Sequence, residues 1–227
     1  MKIFIPMAGK GTRLRPFTLS RPKPLLEIID KPIVEHLIDQ ITSTLSSNIE
    51  EIVYILGDEA YFDSSVVESL ALISKKYNAK TKVYRQLDKL GTGHAIMCAE
   101  ESLTGPAIIA YADTMIQGKI EIDLNADGMI WVKKVENPSS YGVVNLDKES
   151  NIIELIEKPK DFISDLAVVG IYYFKESSFL RDELKNHLKE KLEPGREYLL
   201  NYGIEKMIEK KKIFKSQEIE TWMDCGT

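Results

Sequence analysis

Hydrophobic positions along the chain fall into two patterns. In the first half, short apolar runs alternate with segments of helical spacing. Lys2–Pro6 opens as a buried strand, and Glu51–Leu56 and Thr81–Arg85 read as the next two strands. Pro106–Tyr111 is a continuous apolar run, the sign of a strand covered on both faces, and it ends at Ala112-Asp113-Thr114. Between these runs, Ile33, Val34, Leu37, Ile38, Ile41 and Leu45 recur at helical spacing after a start at Asp30-Lys31-Pro32. A second helix carries Val66, Val67, Leu70, Ile73 and Tyr77, capped by Asp63 or Ser64. Residues 86–93 read as a polar loop and His94–Leu103 as a short helix.

From residue 115 the pattern changes. Met129–Val135, Val143–Leu146, Ile152–Ile156 and Leu166–Phe174 read as strands separated by turn chemistry, Asn137-Pro138 among it. Helices follow at about Ser177–Lys191 and Glu197–Lys212, then a short strand before Trp222-Met223-Asp224. The alternating half predicts a mostly parallel sheet with helices on both faces. Ligands in such sheets sit beyond the carboxyl ends of the strands. The loop after the first strand, Gln86 and Asp113 all follow strands, so they are expected at one crevice. No linker separates the halves. One domain over 1–227 is expected, with lobes 1–114 and 115–227.

Composition excludes several classes. Apolar residues make up 44%, enough for a sizeable core, and no stretch suggests a membrane span or a signal peptide. The two cysteines, Cys98 and Cys225, form no disulfide framework and have no zinc-like spacing with His36, His94 and His187. A reducing, cytoplasmic setting is expected. The net charge is −5, yet from Met7 to Leu26 the chain holds five basic residues, Lys10, Arg13, Arg15, Arg21 and Lys23, and no acidic one. A basic loop on an acidic protein suggests a focused anion site and no nucleic-acid surface.

That loop carries Gly9 and Gly11, small residues that let backbone N–H groups approach an anion. It is neither of two familiar glycine loops. Leu14 stands where a dinucleotide fingerprint has its third glycine, and Pro16, Pro22 and Pro24 forbid a continuous helix. Lys10 is followed by Gly11 and not by Ser or Thr, so the P-loop pattern fails too.

The string Gly9-Lys10-Gly11-Thr12-Arg13-Leu14-Arg15-Pro16, then Thr18 and Pro22-Lys23-Pro24, resembles the signature of the sugar-1-phosphate nucleotidyltransferases, the nucleotide-sugar pyrophosphorylases. The resemblance extends in order along nearly the whole chain. It implies a Rossmann-like three-layer αβα mixed sheet with a β-rich sugar-binding lobe. It also implies transfer of a nucleotidyl group from an NTP to a sugar 1-phosphate, with Mg²⁺ and release of pyrophosphate. Ala8, Gly9, Gly11 and Thr12 then belong to the nucleotide-binding loop, with Gln86 and Gly91 at the base. Arg13 and Lys23 match the basic residues that hold the triphosphate, and Asp113 and Asp224 the metal-binding aspartates. Gly142, Glu157, Lys158 and Val169 fall on the sugar-phosphate side. Such a reaction joins two anions and needs no activated serine, cysteine or histidine dyad. The amide of Gln86 offers both a donor and an acceptor, which suits the carbonyl and N3–H edge of uracil or thymine and favours UTP or dTTP.

Alternatives stay open: a cytidylyl- or guanylyltransferase acting on another phosphate, or a regulatory subunit that binds nucleotide sugars without turnover. The set Arg13, Lys23, Asp113 and Asp224 favours an enzyme. Ala112 and Thr114 depart from the family's usual neighbours of the first aspartate, which loosens the expectation for sugar and base. Tyr198–Tyr202 departs from the usual polar pattern, with an expected effect on contacts in a homo-oligomer.

Overall fold

The computed structural model describes residues 1–45 and 47–225. In chain order its elements are β1 (Lys2–Pro6), β2 (Glu27–Ile28), β3 (Lys31–Pro32), α1 (Ile33–Thr44), β4 (Glu51–Leu56), α2 (Ser64–Lys76), β5 (Lys80–Arg85), α3 (Thr92–Met97), β6 (Ala107–Ala110) and β7 (Thr114–Gln117). Then come β8 (Gly128–Lys134), β9 (Gly142–Leu146), β10 (Ile152–Glu157), β11 (Leu166–Phe174), α4 (Ser177–His187), α5 (Leu200–Glu209), β12 (Phe214–Glu218) and β13 (Thr221–Asp224).

Nine strands form one mixed sheet in the order β10-β9-β11-β6-β1-β4-β5, with β8 beside β11 and β12 beside β8. β6, β1, β4 and β5 run parallel. β11 is antiparallel to β6 and joins the two halves of the chain into one sheet. The fold class is the expected one: an α/β sheet with helices on both faces.

Strand alternation explains the two-sided core. Ile3 and Ile5 pack toward α1 and α2 with Ile52, Tyr54 and Leu56. Phe4 points the other way, with Val53 and Ile55, toward α3, α4 and α5. All of these side chains are fully buried, each worth roughly 2 kcal/mol by area removed from water. The helices offer complementary stripes: Val34, Leu37, Ile38 and Ile41 of α1 on one face, Leu200, Ile204 and Met207 of α5 on the other. Asp63 is the cap of α2, its Oδ1 accepting from the N–H groups of Ser65 at 2.9 Å and Val66 at 3.2 Å.

Several boundaries differ from the expected ones. The helix expected at His94–Leu103 starts at Thr92, ends at Met97 and gives way to a 3₁₀ turn at Glu100–Ser102. Acidic residues are unfavourable in a last helical turn, which accounts for the early end. α4 stops at His187 and α5 begins only at Leu200, with Gly195 in the left-handed region between them at φ 84°. α5 ends at Glu209, with Lys211 left-handed just beyond. β7 and the β2–β3 ribbon are too short and polar to show as periodic patterns. Among the described residues no helix is long and apolar enough to cross a membrane.

Candidate active site

The carboxyl ends of β1, β4, β5 and β6 open on a cleft of about 410 Å³ lined by Ala8, Gly9, Gly11, Lys23, Gln86, Gly91, Tyr111 and Asp113. The loop after β1 is pinned at its root, where the Met7 N–H donates to the Ile55 carbonyl at 2.8 Å. Gly11 takes a left-handed conformation (φ 58°, ψ 38°) and starts a 3₁₀ turn over Thr12–Leu14. The Thr18 hydroxyl donates to the Gly11 carbonyl at 2.7 Å, and the Tyr61 hydroxyl to the Thr18 carbonyl at 2.6 Å. The loop is therefore held from below by side chains, leaving basic residues outside: Lys10, Arg13 and Arg15 are exposed, as is Thr12. No hydrogen bond or ion pair engages Arg13 among the described residues.

Lys23 behaves differently. A second 3₁₀ turn, Lys23–Leu25, carries it inward, and its side chain is only 9% exposed. The ammonium donates to Asp113 Oδ2 at 3.0 Å. A buried ammonium must be paired, and Asp113, half-exposed at the cleft floor, is its partner.

Asp113 is set by two strands. Tyr111, just past β6, donates its N–H to the Gly170 carbonyl at 2.9 Å. Gly170 lies in a β11 bulge at φ 84°, where a Cβ would come within 2.7 Å of the Tyr111 ring. Beyond Asp113, β7 pairs antiparallel with β13, placing Thr114 opposite Asp224. The Cys225 N–H donates to the Asp113 carbonyl at 2.8 Å. Residues 113 and 224, distant in sequence, are neighbours across this ribbon. Burial raises the Cys225 thiol pKa, and the charges of Lys23, Asp113 and Asp224 all act on it. Among the described residues no group of three or more His, Cys, Asp or Glu side chains is poised around a cation. A pair of carboxylates suits a hard cation that keeps waters and takes phosphate oxygens; it does not suit a closed zinc site.

Gln86 departs from its expected use. It is buried, and its Nε2 donates to the Gly91 carbonyl at 2.9 Å and lies 3.2 Å from His94 Nδ1. The Gly91 carbonyl fixes the orientation of the amide, so the donor end is committed to the protein. Only Oε1 remains for a ligand.

The sugar-side residues form a second group. The Glu157 carboxylate accepts from Asn201 Nδ2 at 2.8 Å, and a Cβ on Gly142 would lie 3.1 Å from Glu157 Oε2. Lys158 is left-handed at φ 46°, its Nζ 3.8 Å from Glu157 Oε1. Val169 is 1% exposed, so whatever it offers a ligand must come from its backbone, and its carbonyl accepts from the Thr114 hydroxyl at 2.8 Å. That bond ties the two groups together.

Sequence reasoning missed Lys89, Tyr111 and Glu197 in the cleft wall. Tyr111 carries a phenol pushed up to about 12, chiefly by burial, with Thr92 and Tyr172 against its hydroxyl. Residues 198–202 line the inside of the molecule at this point. Gly93 donates its N–H to the Tyr198 carbonyl at 2.7 Å, and Leu200 donates to Thr92 Oγ1 at 3.0 Å. These backbone bonds set the segment against the site wall. Tyr141 packs edge-on against Trp222 at 4.9 Å, and the buried Trp222 indole N–H has no acceptor among the described residues. A roomier groove of about 600 Å³ runs along β10 and α5, but it has no glycine loop or buried cation.

Over 230 residues the chain is 34% identical to the bifunctional protein GlmU of Methanococcus maripaludis, covering 100% of this chain and 51% of that protein. It is 28% identical to the mannose-1-phosphate guanylyltransferase catalytic subunit beta of Drosophila melanogaster, covering 99% of this chain and 59% of that one. A putative glucose-1-phosphate thymidylyltransferase from Bacillus anthracis, solved in complex with a sucrose, superposes with a TM-score of 0.80 at 25% identity, over 100% of this chain and 90% of its own. The chain spans about half the length of the GlmU proteins it matches. Residues 4–227 match the model of the nucleotidyl transferase family, and this chain belongs to that family.

Proposed function

We propose that the protein transfers a nucleotidyl group from a nucleoside triphosphate, UTP or dTTP, to a sugar 1-phosphate, with Mg²⁺ at Asp113 and Asp224. The observation that carries the reading is the buried Lys23 ammonium, 3.0 Å from Asp113 beneath a glycine loop. The names of the relatives support the substrate class, and the unengaged Arg13 supports an enzyme over a regulatory subunit.

A phosphate oxygen of the sugar 1-phosphate attacks the α-phosphorus. The bond from that phosphorus to the β-phosphate oxygen breaks, and its electron pair leaves on pyrophosphate. The attacking oxygen is already anionic, so no base has to activate it. The task is to hold two anions together and to balance charge on the leaving group. Gly9 and Gly11 bring backbone N–H groups to the triphosphate. Lys23 neutralises charge at the α-phosphate, and Arg13 takes up the charge that develops on pyrophosphate. When bound, Mg²⁺ supplies electrostatic neutralisation between phosphate oxygens. Glu157 accepts from sugar hydroxyls and Lys158 pairs the sugar phosphate.

The base reading narrows to one group. Gln86 Oε1 accepts an N–H, and uracil and thymine carry one at N3, where cytosine has a lone pair. Guanine also carries a ring N–H, which makes GTP the sharpest competitor. The test is a pyrophosphate-release screen of NTPs against sugar 1-phosphates with and without Mg²⁺. Turnover with UTP or dTTP is expected. Nucleotide binding without turnover overturns the enzymatic reading; higher kcat/KM with GTP, ATP or CTP overturns the base assignment.

A further inference from the structure

We infer that Asn201 is a positioning residue that holds the Glu157 carboxylate away from Lys158, leaving the acid free for sugar hydroxyls and the ammonium free for phosphate. The inference rests on the function proposed above and adds to it a residue on a helix, outside the sugar-side strands.

Asn201 lies in the first turn of α5, is 6% exposed and uses both ends of its amide. Its Nδ2 donates to Glu157 Oε2 at 2.8 Å, and its Oδ1 accepts from the Tyr172 hydroxyl at 3.2 Å. Burial holds the Tyr172 phenol well above its ordinary pKa, so it remains a donor. The amide cannot turn over without setting its oxygen against the Glu157 carboxylate. Gly142 leaves room for the pair, since a Cβ there would lie 3.0 Å from Asn201 Nδ2. The start of α5 is itself tied to the nucleotide side by the Leu200 N–H to Thr92 bond.

The alternative partner of Glu157 is its neighbour. Lys158 Nζ stands 3.8 Å from Glu157 Oε1, too far for a good hydrogen bond, on a side chain that is 64% exposed. Glu157 in turn acts on Tyr111 from the loop after β6, Tyr172 of β11 and Glu205 of α5. None of them is a cation. Released from Asn201, the carboxylate has one favourable move, onto Lys158, and that contact quenches both groups at once.

Pyrophosphate release measured for wild type, Asn201→Ala, Tyr172→Phe, Glu157→Gln and the Asn201→Ala/Glu157→Gln double variant tests this. Hydrogen bonds to charged groups set the scale, so Asn201→Ala is expected to raise KM for the sugar 1-phosphate roughly 10- to 100-fold. KM for the NTP should stay within about 2-fold. Tyr172→Phe should shift the same constant less, and the double variant should be no worse than its worse single parent. An equal rise in both KM values, or full additivity in the double variant, overturns the inference. A crystal structure of the Asn201→Ala protein gives a readout independent of turnover. Glu157 is expected to close on Lys158 to ~2.8 Å, and an unmoved Glu157 overturns the inference. Absence of turnover in wild type defeats the proposed function, while the variant structure still decides what Asn201 holds.

Discussion

Single residues divide by how their charge is held. Arg13 is exposed on a short turn, with no partner among the described residues, whereas Lys23 is buried and already paired with Asp113. Their substitutions should therefore differ. Arg13→Ala is expected to lower kcat ~100- to 1000-fold, the usual cost of one donor to developing charge, with Tm unchanged by thermal melt. An ordinary kcat would return Arg13 to the solvated surface. Asp113→Asn and Asp224→Asn keep shape and remove charge, so each should lose at least ~100-fold in activity. Asp113→Asn also leaves the buried Lys23 ammonium without its counter-ion and should lower Tm, which Asp224→Asn should not. If both act through one ion, the double variant should cost little more than the worse single one. Full activity in Asp224→Asn would refute the shared site. Both aspartates and both basic residues were candidates from motif alone. That Lys23 is an internal counter-ion was not, because burial is decided by the turn that carries it.

Among the elements, α3 and the segment leading into α5 depend on each other. Gly91, which precedes α3, has φ 109°, and a Cβ there would stand 2.6 Å from the Tyr198 carbonyl. Gly91→Ala must strain this backbone or push residues 197–198 outward, at a cost of about 1–3 kcal/mol. A fall in Tm together with a raised KM for the NTP is expected from melts and initial rates. A raised KM with unchanged Tm would mean that the glycine serves the ligand alone. The hydrophobic run of β6 and its terminal aspartate were visible in the sequence. The β11 bulge that places Tyr111, and the β7–β13 ribbon that joins residues 113 and 224, were not, since each is a pairing between distant segments.

At the scale of the whole molecule, one sheet carries both groups of site residues, and α5 packs behind the sugar side. Glu205 on that helix has a carboxyl pushed up to about 7, chiefly by burial. A raised acid pKa means that the folded state binds the proton more tightly than the unfolded one. The protonated form holds stability at low pH, and that stability is lost as pH rises from about 4.5 toward 7. Glu205→Gln should therefore stabilise the protein at pH 8 more than at pH 5. Allowing for solvent screening of a half-exposed group, the gain is about 1 kcal/mol, or roughly 2–4 °C in Tm. Equal Tm changes at the two pH values would show that Glu205 is already solvated in the folded state.

The sequence alone determined the strand and helix alternation, the crevice side of the sheet and the basic character of the loop after β1. These are local properties: periodicity reports burial, glycine and proline report backbone limits, and charge type reports ligand class. Only the tertiary structure decided which groups are already spent. Gln86 has given its donor to Gly91, Lys23 one of its three donors to Asp113, and Asn201 both ends of its amide to Glu157 and Tyr172. A side chain's free valence depends on what long-range packing brings within about 3 Å of it, and no pattern along one chain carries that distance.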